Sequence, residues 1–240
     1  MMTSVTATVA LVIAAATSTR PVLDAFRPEL EKAAGGAVEI RYGATGTLAS
    51  SLRKGEGADL FLSADERTIR RLAEDGFVDD GSLSRCAAGS LALVAATGAP
   101  FELPRRLDGA TALAFVKLPI RRLVVPSKKT APEGVSAEEV LAAARILREM
   151  KEKLVPVDSA DEAIRKVLSG DADAAIIPAS LADAAGLASC PVDSTLHEPL
   201  KVTGGVVSAS ARPDAARRVL DVLSAPGSLE TWRRFGFGAP

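Results

Sequence analysis

The chain has 240 residues, of which 48% are hydrophobic and 25% charged, which indicates a folded globular protein of one large or two small domains rather than a disordered or fibrous chain. Its formal net charge is -1, from 29 Lys and Arg against 30 Asp and Glu, and it has only seven Phe, one Tyr and one Trp. Proteins that bind nucleic acids usually have basic surfaces and aromatic residues for stacking, so the composition does not indicate a nucleic-acid partner. Two Cys and one His cannot build a Cys/His zinc site, and no metal site is predicted.

The first predicted element is a buried strand at residues 7–14, in an apolar stretch that begins near the N-terminus. Three alanines at 14–16 resemble a signal-peptidase site. However, no Lys or Arg precedes the apolar stretch, and Thr and Ser residues interrupt it. We therefore predict a strand here rather than an export signal.

Short β-rich runs and helical periods then alternate, which is the pattern of parallel βαβ units. A first group has strands at 38–42 and 58–62 and helices at 22–34, 47–54 and after Ser63, with a kink expected at Pro28. A strand at 91–96 and a Pro- and Gly-rich connection at 98–109 lead to a second group. Its strands are predicted at 122–125, 154–157 and 174–177, and its helices at 136–150, 159–169 and after Ala179. The chain ends with a strand at 201–207 and helices at 213–223 and 228–235.

Three segments match the S-x-x-E pattern of a helix capping box, in which two side chains bond the first free N–H groups of a helix. They begin at Ser63, Ser136 and Ser159. The pattern predicts that each of these serines begins a helix.

The loops at 17–19, 43–47 and 63–64 each follow a predicted strand and open a helix. In a parallel sheet such loops lie along one carboxyl edge, where helix N-termini and small hydroxyl residues suit a small anion. Each hydrogen bond to a charged ligand contributes about 1.5 to 3 kcal/mol, so five or six converging donors are enough to hold a compact oxyanion without a counter-charge.

The same loops carry a resemblance to a known family. The segments AATS at 15–18, YGATGTLA at 42–49 and ADLFLSADE at 58–66 are similar to blocks of periplasmic molybdate-binding proteins, the substrate-binding subunits of ABC importers. APEG at 131–134, GDADAAII at 170–177 and SAPGSLETWRRFGF at 224–237 are similar to further blocks of that family. The order and spacing of the six segments extend the resemblance over nearly the whole chain.

The resemblance implies the type II periplasmic-binding-protein fold: an α/β protein of two lobes, each a mostly parallel sheet flanked by helices, joined by two crossover strands. Lobe one would be residues 1–85 plus 200–240, and lobe two residues 86–199, with the ligand cleft between them. The crossovers would fall near 87–96 and 198–205.

The resemblance also implies a ligand and a partner. The family holds its oxyanion with hydroxyl groups and backbone amides, and the matching positions are Ser18, Thr45, Ala64 and Ala131, with Thr17 and Gly46 beside them. The expected ligand is molybdate or tungstate, with no cofactor. The expected protein is a periplasmic monomer that delivers the anion to a membrane permease.

Two departures from the family pattern keep other ligands open. Pro178 stands where the family has a tyrosine, and it offers neither a hydroxyl nor an N–H. Lys128 and Lys129 stand where the family has an acidic turn, and they either attract the anion or form a solvated surface pair. The alternatives are therefore a different small anion or organic acid on the same fold, or a cytoplasmic ligand-sensing module.

Enzymatic activity is not predicted, because the sequence has no nucleophile elbow, phosphate loop or metal motif. His197 has no nucleophile motif beside it and is expected to be structural, as are Asp59 and Asp65. Cys86 and Cys190 lie near the two predicted connections between the lobes. They either form a disulfide there or are separate buried thiols.

Overall fold

A computed structural model describes residues 10–240 of the chain. Within this part of the chain, β-rich and helical segments alternate and build two separate sheets. The strands are β1 Leu11–Ala16, β2 Val38–Gly43, β3 Leu60–Ser63, β4 Ser84–Gly89, β5 Leu91–Ala95, β6 Leu123–Pro126, β7 Leu154–Val157, β8 Ala174–Pro178, β9 Ala188–Pro191 and β10 Leu200–Val206. The helices are α1 Arg20–Ala34, α2 Thr45–Arg53, α3 Glu66–Glu74, α4 Ala112–Val116, α5 Pro132–Ala143, α6 Leu147–Met150, α7 Ala160–Leu168, α8 Ala179–Ala182, α9 Pro213–Ser224 and α10 Leu229–Arg234.

Each sheet has a parallel part and an antiparallel part. The first has the order β2-β1-β3-β10-β4, in which β1 is parallel to β2 and β3 while β10 is antiparallel to both of its neighbours. The second has the order β7-β6-β8-β5-β9, in which β6 is parallel to β7 and β8 while β5 is antiparallel to both of its neighbours. The chain passes from the first sheet to the second at Ser90, and it returns between β9 and β10.

Helices cover both faces of each sheet, so each sheet has its own buried core. The C-terminal helices return to the first sheet, where the fully buried Trp232 lies 6.2 Å from Phe26 and 4.9 Å from Phe237 between ring centroids. The Trp232 indole donates a hydrogen bond of 2.9 Å to the carbonyl of Leu223. The C-terminal segment is therefore a packed part of the first half of the molecule.

The N-terminal elements differ from prediction in their bounds. The predicted strand at 7–14 includes residues 7–9, which lie outside the described residues, and β1 extends two residues further, to Ala16. Helix α1 runs without a break through Pro28, so the predicted interruption at this residue is not found. It begins at Arg20, before the predicted start, because Pro21 suits the first turn of a helix, where an N–H has no partner to lose.

Of the three predicted caps, only Ser159 is confirmed: its hydroxyl accepts a 3.2 Å hydrogen bond from the N–H of Glu162. The prediction for Ser63 is wrong, because Ser63 ends β3 and the Asp65 carboxylate caps α3. The prediction for Ser136 is also wrong, because α5 already begins at Pro132. The helix predicted at 136–150 is interrupted as well, since Arg145 takes a left-handed conformation with φ of 60°.

The two cysteines are free and buried in different sheets, Cys86 in β4 and Cys190 in β9. The disulfide alternative is therefore wrong. Burial raises the pKa of the Cys86 thiol to about 12 and that of the Cys190 thiol to about 11, which keeps both groups protonated and unreactive at neutral pH.

Candidate anion-binding site

Helix starts from the two sheets meet in the gap between them. In the first sheet, the parallel strands β1, β2 and β3 all end at one edge, where a 3₁₀ turn at Thr17–Thr19, the start of α2 and the loop after β3 begin. In the second sheet, β6, β7 and β8 end in the same way at the starts of α5, α7 and α8. We call the region where these six segments come together the interlobe hollow.

Two hydroxyl groups in the hollow have no partner in the described part of the chain. The Thr17 Oγ1 and Ser18 Oγ atoms are buried and make no hydrogen bond, and their residues are only 5% and 2% exposed. A buried polar group without a partner costs about 1 to 3 kcal/mol, and nearly all such groups in folded proteins are satisfied. These two hydroxyls are therefore the strongest structural sign that a ligand binds here.

Thr45 and Ala64 are in direct contact, as their place at one sheet edge predicted. The Thr45 hydroxyl oxygen accepts a hydrogen bond of 3.2 Å from the Ala64 N–H, and both residues are buried. Because the oxygen is the acceptor here, the Thr45 hydroxyl keeps its own proton to donate. The Ala64 amide, in contrast, is already bonded to Thr45.

Gly46 joins the two halves of the molecule. Its N–H donates a 2.9 Å hydrogen bond to the carbonyl oxygen of Thr130, in the loop before α5. A Cβ atom on Gly46 would lie 2.7 Å from that oxygen, so only glycine allows the two backbones to come this close. In this arrangement the Gly46 amide holds the partner loop instead of pointing a free donor into the hollow.

The start of α5 presents a different amide from the one we expected. Ala131 is buried at the N-cap, but its N–H donates to the carbonyl of Ser127 at 2.8 Å. Pro132 has no N–H, so the next amide in line is that of Glu133. The sequence analysis named Ala131 in this turn and did not name Glu133, whose N–H is bonded to its own carboxyl group.

Two more contacts tie the second sheet to the first, and both involve residues that the sequence analysis missed. The Ser180 hydroxyl, at the start of α8, donates a 2.6 Å hydrogen bond to the carbonyl of Ser18. The Arg20 guanidinium forms a two-pronged ion pair with Asp161 in the first turn of α7, with distances of 3.0 and 2.9 Å. With the Gly46 contact, these bonds show that the molecule is in a closed conformation.

The three residues that depart from the family pattern lie in different places. Pro178 ends β8 at the rim of the hollow, is buried, and offers no donor, while the next amide, of Ala179, is bonded to the Ser90 carbonyl at 2.9 Å. Lys128 is an exposed residue whose ammonium group pairs with Glu138 at 2.8 Å. Lys129 is exposed too.

Glu133, in the first turn of α5, has a carboxyl group with a strongly raised pKa. The residue is only 6% exposed, and burial, followed by the nearby charge of Asp65, raises the pKa of its carboxyl group to about 7. Glu66, by contrast, is paired with Arg70 and Arg85 at 2.6 and 2.9 Å, and these arginines hold the pKa of its carboxylate below the usual value.

A cavity of about 500 Å³ adjoins the hollow beside Ala64. Residues of both halves line it, including charged side chains of both signs: Asp65, Glu66, Arg67, Arg70, Arg85, Glu139, Glu198 and Lys201. The cavity therefore carries acidic and basic side chains in equal number.

Other residues singled out in the sequence have structural partners. The Asp59 carboxylate accepts hydrogen bonds from the Val12 N–H and the Ser210 hydroxyl, at 2.8 and 2.6 Å, and so ties three segments of the first half together. His197 contacts the carbonyl of Glu198 through Nδ1, at 2.7 Å. Among residues 10–240, no group of three or more His, Cys, Asp and Glu side chains is placed to hold a metal ion, and no helix is long and apolar enough to cross a membrane.

Comparisons with known proteins agree with this geometry. The profile of one family, described as bacterial extracellular solute-binding protein, matches residues 11–238. The molybdate-binding protein ModA of Azotobacter vinelandii is 29% identical over 95% of this chain and 88% of its own length, and that of Rhodobacter capsulatus is 28% identical over 85% and 78%. The structure of the Azotobacter vinelandii periplasmic molybdate-binding protein superimposes with a TM-score of 0.82 at 22% identity, covering 96% of this chain and 99% of the other. This likeness confirms the predicted two-lobed α/β fold.

Proposed function

Since this chain belongs to the bacterial extracellular solute-binding protein family, we propose that it is the substrate-binding protein of an ABC importer and captures a small tetrahedral oxyanion between its lobes. The ligand we propose is molybdate, with tungstate as its close chemical analogue. The names of the two similar ModA proteins support this choice. We further propose that the protein is a monomer that acts outside the cytoplasm, delivers its anion to a membrane permease and catalyses no reaction.

The unpaired hydroxyls of Thr17 and Ser18 are the observation that carries this proposal. Together with the Thr45 hydroxyl, they offer uncharged donors inside a buried space between two halves of the molecule. An oxyanion with four acceptor oxygens would satisfy all three, at about 1.5 to 3 kcal/mol for each hydrogen bond.

The contacts between the halves support a capture mechanism by closure. Donors from both sides surround an anion only when the cleft is shut, so binding shifts the equilibrium toward the closed form. The division into lobe one (1–85 plus 200–240) and lobe two (86–199) remains part of this proposal. Strand β4 belongs to the first sheet as far as Gly89, so we move the proposed boundary from between residues 85 and 86 to Ser90.

The direct test is a thermal-shift and calorimetric series with molybdate, tungstate, sulfate and phosphate. We expect molybdate and tungstate to raise the melting temperature and to bind with one-to-one stoichiometry. Ser18→Ala removes one donor and should weaken binding about 10- to 100-fold, from roughly 1.5 to 3 kcal/mol per bond. Ser169→Ala, at an exposed serine beyond the end of α7, is the matched control and should bind as the wild type does. If none of the four anions binds, the proposal is wrong.

A larger anion is the second candidate, and the cavity of about 500 Å³ beside Ala64 favours it. An organic acid whose anionic group lies in the interlobe hollow would extend its remaining atoms into this space. Pro178, which removes a hydroxyl and an amide from the rim, also fits a change of ligand. Mass spectrometry of ligand extracted from freshly purified protein separates the two candidates: an organic anion at one equivalent would replace molybdate as the proposed substrate.

A further inference from the structure

Glu133 places a buried carboxyl group at the start of α5, one of the helix starts that meet at the interlobe hollow. The residue lies in the first turn of α5, directly after Pro132, and is 6% exposed. Its carboxyl group accepts a hydrogen bond from its own N–H, which keeps the group at the N-terminal end of the helix. Asp65, across the gap, is near enough to act on it electrostatically. Pro132, the residue directly before it, lines one cavity together with Ala64 and Asp65 of the first half. The carboxyl group therefore lies near the boundary between the two halves, at the N-terminal end of α5.

The arginines on the elements that face α5 are bonded to other carboxylates, as is Lys128, whereas Lys201 lines the same cavity as Pro132. Across the gap, Asp65 accepts hydrogen bonds from the N–H of Arg67 and the hydroxyl of Thr68. On the connection that packs against α5, His197 contacts the Glu198 carbonyl, and the Glu198 N–H donates to Glu139. The ion pairs on the facing elements are Arg67 with Asp65, Arg70 and Arg85 with Glu66, Arg20 with Asp161, and Lys128 with Glu138.

The protonation of this group decides what it does to an anion. An ionised carboxylate in a buried site repels a dianion, because little water screens the two charges. A neutral carboxyl group instead donates a hydrogen bond from its O–H to an anion oxygen. We infer that Glu133 binds one proton from the solvent whenever the site binds an unprotonated dianion, so that the anion and the proton enter the cleft together.

This inference rests on the proposed function and predicts its pH dependence. Burial and the neighbouring Asp65 raise the pKa of Glu133 to about 7 in this structure. Below that pH the proton is already in place, so affinity for molybdate should be level. Above it the proton must be taken up on binding, and affinity should fall about tenfold for each pH unit, or about 100-fold from pH 7 to pH 9.

The test is isothermal titration calorimetry of the full chain with sodium molybdate from pH 6 to 9, repeated in buffers of different ionisation enthalpy. We expect the wild type to take up about one proton per molybdate near pH 9. Glu133→Gln cannot ionise, so it should take up none and should bind equally well across the range. Glu138→Gln, on the exposed side of the same helix, is the matched control and should behave as the wild type does.

The outcomes distinguish a failure of this inference from a failure of the proposed function. Molybdate binding by the wild type without proton uptake, and with a level affinity from pH 6 to 9, overturns the role of Glu133 and leaves the proposed function standing. A pH dependence that persists in Glu133→Gln also overturns it, because another group must then carry the proton. Failure of the wild type and of Glu133→Gln to bind molybdate at any pH overturns both.

Discussion

The ion pair between Arg20 and Asp161 joins the two lobes beside the interlobe hollow, so breaking it should weaken ligand binding. The two residues are 141 positions apart in the chain, and their two hydrogen bonds measure 3.0 and 2.9 Å. Opening the cleft separates them, so whatever free energy the pair contributes favours the closed form alone.

The exposure of the pair sets the size of the effect. The Arg20 and Asp161 side chains are 38% and 32% exposed, so solvent screens the attraction and a contribution of about 1 kcal/mol is appropriate rather than the larger value of a buried pair. Such a loss corresponds to about fivefold weaker binding. We expect the weaker binding to appear mainly as faster release of the anion, because the ion pair forms only after the lobes have met.

A double-mutant cycle isolates this contribution. Arg20→Gln and Asp161→Asn each change the charge near a bound anion, but the coupling between them measures the pair itself. Molybdate affinity should give a coupling free energy of about 1 kcal/mol. The pair of Arg53 and Asp75, which has similar exposure but lies within the first lobe, is the matched control and should show none in binding. A coupling within error of zero at Arg20 and Asp161 would refute the idea that this pair holds the cleft shut.

Three further predictions follow from contacts in the same region. Gly46→Ala should weaken molybdate binding about tenfold or more, because the added Cβ atom would lie 2.7 Å from the Thr130 carbonyl oxygen and hold the lobes apart. A calorimetric affinity within twofold of the wild-type value would contradict this. Thr45→Val should weaken molybdate binding to a similar extent. It should also lower the free energy of unfolding by about 1 to 3 kcal/mol, because the Ala64 N–H loses its acceptor. An unchanged midpoint of urea unfolding would contradict this second effect. Glu66→Gln should be less stable than wild type at neutral pH, since hydrogen bonds from Arg85 hold the pKa of Glu66 below its usual value. This contribution is present above the unfolded pKa and is lost as pH falls through the folded pKa, so urea midpoints of the two proteins should converge in acid, and a difference that stays constant would contradict the assignment.

Much of the fold can be predicted from short stretches of sequence, because alternating β-rich and helical runs are local patterns. The strand at 38–42 and the helix ending at Ala34 are found within a residue or two of their predicted bounds. Local patterns were less reliable where two signals competed. Ser136 matched a capping pattern, yet Pro132 began the helix one turn earlier, since proline is suited to a first helical position.

In the candidate site, too, some features could be predicted from the sequence and others could not. Thr17, Ser18 and Thr45 could be placed at one edge from the order of strands and loops, and the structure leaves their hydroxyls able to donate. The state of the amides could not be predicted, because it depends on partners in other loops. Ala131 and Gly46 have N–H groups that Ser127 and Thr130 already occupy.

The sequence by itself determined that the chain is an α/β protein whose strand ends carry small, uncharged donors, since these features lie within a few consecutive residues. Only the tertiary structure decided which donors remain unpaired, that Lys128 turns away to Glu138, and that Glu133 is buried opposite Asp65. The physical reason is that burial and hydrogen-bond partners are supplied by segments far apart in the chain. Arg20 and Asp161 meet only because two separately folded sheets face each other across the site.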